Sequence, residues 1–62
     1  MTREERIRED VLYTINEWEG PISVDQIAST LNDPEDAVLT ACRELEKEGA
    51  IRGDAENFFR PK

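Results

Sequence analysis

Two short amphipathic stretches meet at Leu31-Asn32-Asp33-Pro34, and the second is closed by Gly49 and followed by a strand-forming run, an arrangement that leaves this chain few ways to fold. Ser23-Val24-Asp25-Gln26 is a capping box: the Ser hydroxyl accepts the backbone N–H three residues on, and the Gln side chain reaches back to the cap. A helix therefore starts at about Val24. Val24, Ile27, Ala28 and Leu31 recur at the spacing of one buried face, which carries this helix over 24–31. Asn32 tolerates a left-handed backbone and ends it. Asp33 is placed to cap the next helix, and Pro34 suits a first helical position, where its missing N–H would have no partner.

The next helix is expected over about 34–48, with Glu35 and Asp36 in its first turn complementing the positive end of the helix dipole. Val38, Ala41, Cys42 and Leu45 form its inward stripe, and Gly49 supplies the stop. Ala50-Ile51-Arg52 and Phe58-Phe59-Arg60 then flank the polar run 53–57, which reads as a hairpin with a loop of about five residues, within 50–61. Upstream, Thr2-Arg3-Glu4-Glu5 is a second capping box opening a first helix over about 2–19. Ile7, Val11, Leu12, Ile15 and Trp18 share one side of it. Gly20-Pro21 ends it, and Ile22 adds a short third strand to the hairpin.

These expectations describe a mostly α chain with a small β element, and 62 residues suit a single domain spanning 1–62. A chain this short buries only about 60% of its unfolded surface, so one core must use nearly every large apolar residue, including Trp18 and the phenylalanines. One Cys and no His leave no intramolecular disulfide and little for a metal. Cys42 falls on an inward stripe and reads as a small buried side chain rather than a reactive thiol. No apolar run approaches a membrane span or a signal peptide, so a cytoplasmic protein without a membrane partner is expected. With no Gly-rich phosphate loop, no paired Cys and no convincing acid pair in a pocket, neither catalytic residues nor a cofactor site are expected, and the chain reads as no enzyme.

The ordered set Val11-Leu12-x-x-Ile15, Ile22-Ser23-Val24-x-x-Ile27-Ala28-x-x-Leu31 and Pro34-x-x-x-Val38-x-x-x-Cys42-x-x-Leu45-Glu46-x-x-Gly49-x-Ile51, followed by the two strands, resembles the winged helix-turn-helix superfamily over roughly residues 11–61. The resemblance implies a three-helix winged helix-turn-helix with a C-terminal β-hairpin wing, and a small DNA-associated transcriptional regulator whose third helix enters the major groove. Leu39, Thr40, Arg43 and Lys47 are then the candidate DNA-binding residues of that helix, and Arg52, Arg60 and Lys62 those of the wing. Two departures stand out: Asp33 occupies a place where that superfamily usually has a hydrophobic residue, and the third helix carries few basic or amide side chains.

Charge argues the other way. The net charge is −7, divided as −3 over 2–19, −2 over 20–33, −3 over 34–48 and +1 over 50–62. Nucleic-acid affinity comes largely from cations set against phosphates, and the early helix positions Glu35, Asp36, Leu39 and Thr40 offer no Arg, Lys, Asn or Gln. Arg43 is the one well-placed base-contact candidate, against its ordinary reading as a solvated surface residue. The acid-rich surface, with six Arg and only two Lys, resembles proteins of salt-accumulating, halophilic archaea, where molar salt shortens the Debye length to about 3 Å and mutes repulsion from a phosphate backbone.

The alternative reading is a protein–protein interaction module on the same scaffold with an acidic surface that binds no DNA. Tyr13, Leu39 and whichever of Phe58 and Phe59 lies outside the core would form its docking patch, since adjacent strand residues face opposite ways. Tyr13, opposite the core stripe of the first helix, is also the candidate contact of a homodimer, or else a solvated aromatic on a monomer.

Overall fold

A computed structural model describes residues 2–62. Three helices, α1 (Arg3–Glu17), α2 (Val24–Leu31) and α3 (Glu35–Lys47), are joined by a small antiparallel sheet of β1 (Ile22–Ser23), β2 (Ile51–Gly53) and β3 (Phe58–Pro61) in the order β1-β3-β2. The molecule is mostly helical with a minor β component.

The ends of the helices follow the local chemistry closely. Thr2 caps α1 reciprocally: its Oγ1 accepts from the Glu5 N–H at 3.2 Å while its own N–H donates to Glu5 Oε1 at 3.2 Å. That bonding to Thr2 holds the Glu5 carboxyl below its ordinary pKa. At α2 only half of the expected box forms. Ser23 Oγ accepts from the Gln26 N–H at 3.1 Å, but the Gln26 amide turns along its own helix to the Thr30 hydroxyl at 3.4 Å.

Asn32 ends α2 in the left-handed region (φ 59°), and the Asp33 N–H returns to the Ala28 carbonyl at 3.1 Å. Asp33 is therefore part of that corner and does not cap α3. Pro34 occupies the capping position in extended conformation, with no side-chain hydrogen bond to the helix, and α3 begins one residue later than its sequence pattern predicts. At the far end Gly49 (φ 81°) donates to Glu46 O and Ala50 N donates to Leu45 O at 2.9 Å. This is a Schellman stop, and it turns the chain into β2.

Trp18 corrects the expected core stripe of α1. The helix stops at Glu17, and Trp18, with an extended backbone (ψ 135°), leaves the helical wheel before its side chain can join Ile7, Val11 and Ile15; it is 42% exposed. The core is made instead by Ile7, Val11, Ile15, Ile22, Val24, Ile27, Ala28, Val38, Ala41, Cys42, Leu45, Ile51 and Phe59, with Leu12 and Leu31 partly buried at its edge. The stripe read for α3 is the buried one without change.

The strand at Ile22 forms and pairs with β3, Ile22 opposite Phe59 and Ser23 opposite Phe58. On the other side Arg52 stands opposite Arg60 and Gly53 opposite Phe59. Gly53 belongs to β2, so the hairpin loop is 54–57, closed by Asp54 N to Phe58 O at 3.0 Å and Phe58 N to Ala55 O at 2.9 Å, with Asn57 left-handed at φ 60°. The Asn57 carbonyl accepts from the Val24 N–H at 2.9 Å. That bond ties the start of α2 to the hairpin and fixes how the loop stands beside α3.

Candidate functional site

A 13-residue helix is about 20 Å long, and the packing of α3 decides which of its charges reach solvent together. With Val38, Ala41, Cys42 and Leu45 buried, the side opposite them carries Asp36, Thr40, Arg43 and Lys47 at helical spacing, all four exposed. The other acids of the helix lie on its flanks. Glu44 and Glu48 turn toward α1, where Arg8 Nη1 meets them at 3.4 and 4.0 Å. Glu46 reaches the hairpin, close enough to Gly53 that a side chain on that glycine would meet the Glu46 carboxylate. The sequence total of −3 for 34–48 thus separates by face, and the outward stripe itself has two cations against one acid.

Arg43 and Lys47 make no ion pair among the described residues, and neither does Arg52. Arg60 does: its Nη1 lies 3.6 Å from Asp54 Oδ1 across the mouth of the hairpin loop. Lys62 folds back over the end of α3, with Nζ 3.9 Å from where a Gly49 Cβ would stand. A cation there faces the negative end of the helix dipole. Thr40, exposed, donates its hydroxyl to the Asp36 carbonyl at 2.9 Å.

Leu39 does not belong to the outward stripe. It is partly buried and leans toward the hairpin, lining a groove of about 450 Å³ with Arg43, Glu46, Gly53 and Phe59. Phe59 is 6% exposed and packs in the core beneath that groove; Phe58, at 41%, is the outward member of the pair. Tyr13 is 68% exposed on α1 and lines neither groove at the hairpin, whereas Leu39 and Phe58, the other members of the patch expected from sequence, line one groove together.

The comparisons return nothing. No protein-family model, curated protein or solved structure matches the chain.

Cys42 is fully buried, and burial first, then the nearby Glu46 charge, pushes its thiol up to about 12. It is a packing residue. No helix among the described residues is long and apolar enough to cross a membrane, and no group of three or more side chains suited to a metal comes together among them.

One feature carries no sequence signal at all. The first turns of α2 and α3 and the hairpin loop converge, so that Asp25, Glu35, Asp36 and Glu56 line a second groove, of about 380 Å³, with Leu39 and Phe58. The Glu35 carboxyl is raised above its ordinary pKa by its hydrogen bond to the Asp25 carboxyl and by that neighbour's charge. These residues are up to thirty-three positions apart in the chain, and the corner at Asn32, the pairing of Ser23 with Phe58 and the bond from Val24 to Asn57 make them neighbours.

Proposed function

We propose that this protein is a small DNA-associated transcriptional regulator of winged helix-turn-helix type, with α3 as the helix that enters the major groove and the β2–β3 hairpin as the wing. The observation that carries the reading is the sorting of charge around α3. Glu44 and Glu48 lie on one flank beside Arg8 and Glu46 on the other beside the hairpin, while Arg43 and Lys47 stand outward, with Asp36 as the one acid among them, and make no ion pair among the described residues.

A helix fits the major groove, which is about 12 Å wide. In this reading Arg43 donates to a guanine edge or a phosphate, the Thr40 methyl meets a thymine methyl, and Lys47 lies along the backbone. Arg52 supplies the hairpin's unpaired phosphate contact. Arg60 contributes less because Asp54 already occupies it, and Lys62 acts near the end of α3. Net charge sets the conditions: with few cations and −7 overall, binding depends on short contacts, because molar salt mutes repulsion from the phosphates and removes most counterion-release attraction alike.

Labelled mixed-sequence duplex DNA titrated with the protein at low salt and at about 2 M KCl tests the reading. Arg43→Ala and Arg52→Ala should each weaken binding and lower the salt slope by about 1. Absence of binding at both salts, or binding untouched by both substitutions, removes the proposal.

A further inference from the structure

Phe58 is left 41% exposed not on open surface but on the wall of the 380 Å³ groove, where Val24 and Leu39 supply the other apolar contacts. Beside Ser23 and Asn57 the rest of the wall is carboxylate: Asp25 from the first turn of α2, Glu35 and Asp36 from that of α3, and Glu56 from the hairpin loop. None of the four makes an ion pair among the described residues, whereas Glu44, Glu48 and Asp54 each have an arginine. Helix dipoles account for acids in first turns. They do not account for Glu56, nor for the convergence of all four carboxylates on an aromatic ring.

A cationic side chain is the group that answers both halves of such a wall, since its N–H groups bond carboxylates and its charge is attracted to a ring face. We propose that this groove docks a basic segment of a partner protein, an Arg or Lys lying against Phe58 with its head among Asp25, Glu35, Asp36 and Glu56, and an adjacent apolar residue resting on Leu39. A second copy is a poor occupant. Two chains of −7 repel, the sequence has no two adjacent basic residues, and in the Arg6-Ile7-Arg8 run Ile7 is buried. Nucleic acid is disfavoured by the same four carboxylates. The groove sits at the start of α3 and the cations Arg43 and Lys47 in its later half, so the proposal uses none of the cations of the DNA reading, although Asp36 borders both surfaces.

The test is a fluorescence-anisotropy titration with a labelled ten-residue peptide carrying two Arg-Leu-Arg triplets, beside the same peptide with Glu in place of Arg, and duplex DNA. Because an acidic protein attracts any basic peptide, two double variants of equal charge are compared. Asp25→Asn with Glu35→Gln should weaken binding at least tenfold, whereas Glu9→Gln with Glu17→Gln, on the exposed side of α1, should change it less than twofold. Phe58→Ala should cost at least fivefold, and Glu56→Gln, which lies outside every helix, about threefold. Equal loss in both double variants, or a basic peptide that binds no better than its acidic counterpart, overturns the proposal. So does DNA that competes with the peptide and is itself weakened by Phe58→Ala.

Discussion

Replacing each of two neighbouring phenylalanines should give sharply different losses of stability, because strand alternation sends Phe59 into the core and Phe58 out of it. Truncating a buried Phe to Ala costs about 3–5 kcal/mol, the lost transfer energy plus that of the cavity left behind. A chain of this length has about 3–9 kcal/mol in all, so Phe59→Ala should remove from about a third of it to the whole. Phe59→Leu, at about 1–2 kcal/mol, keeps the comparison measurable. Phe58 hides about three-fifths of its surface, contributing about 1–2 kcal/mol by area, but its loss leaves no enclosed void; Phe58→Leu should cost well under 1 kcal/mol. In urea melts followed by circular dichroism, with a slope of about 1 kcal/mol/M, the Phe59→Leu midpoint should fall by about 1–2 M and that of Phe58→Leu by less than half as much. A one-residue slip of β3 exchanges the two faces. Equal losses, or a larger one at Phe58, would refute the pairing of Ile22 with Phe59 and the groove built on it.

Alkylation of Cys42 under native conditions at pH 8 should run at least a thousandfold slower than that of a free thiol, since a thiol pushed to about 12 has almost no thiolate there; rapid modification would contradict its burial. Asn32→Gly should leave the melting temperature nearly unchanged, whereas Asn32→Ala, forced to φ 59°, should lose about 1 kcal/mol in the same urea melts. Arg8→Ala should cost less than about 1 kcal/mol, because both its partners are exposed. Glu5 has a lowered pKa in the folded chain, so its contribution is complete above its unfolded value near 4.5 and fades as pH falls through the folded one. Thr2→Ala should flatten that acid limb of the stability profile.

The features legible in the sequence are those set by neighbours in the chain. Thr2, Ser23, Asn32 and Gly49 fix helix ends through bonds that span only a few residues, and the stripe from Val38 to Leu45 needs nothing beyond helical period. Trp18 was misleading because its place depends on where α1 stops, and extending the period by one residue puts on the wheel a side chain that the backbone has already carried off it. Asp33 looked like a cap, but its N–H is engaged with Ala28 and its side chain turns no bond to α3. The candidate site was least legible of all. A summed charge for 34–48 cannot say that Glu44 and Glu48 meet Arg8 of α1, that Glu46 stands against Gly53 of the hairpin, nor that Glu56 comes to line one groove with Asp25.

The order β1-β3-β2 makes the last strand in sequence the middle one in space. Neither Ile22 nor Ile51 has a ladder partner until residues 58–61 arrive between them, so the sheet cannot assemble piecemeal from its first strand onward. The corner between α2 and α3 closes over a handful of residues and is quick to form. Joining residue 22 to residue 59 closes a loop over about three-fifths of the chain, which is the slow and entropically demanding event. Folding should therefore end where the hairpin slots home, and both grooves, which need that hairpin as a wall, come into being only at that final step.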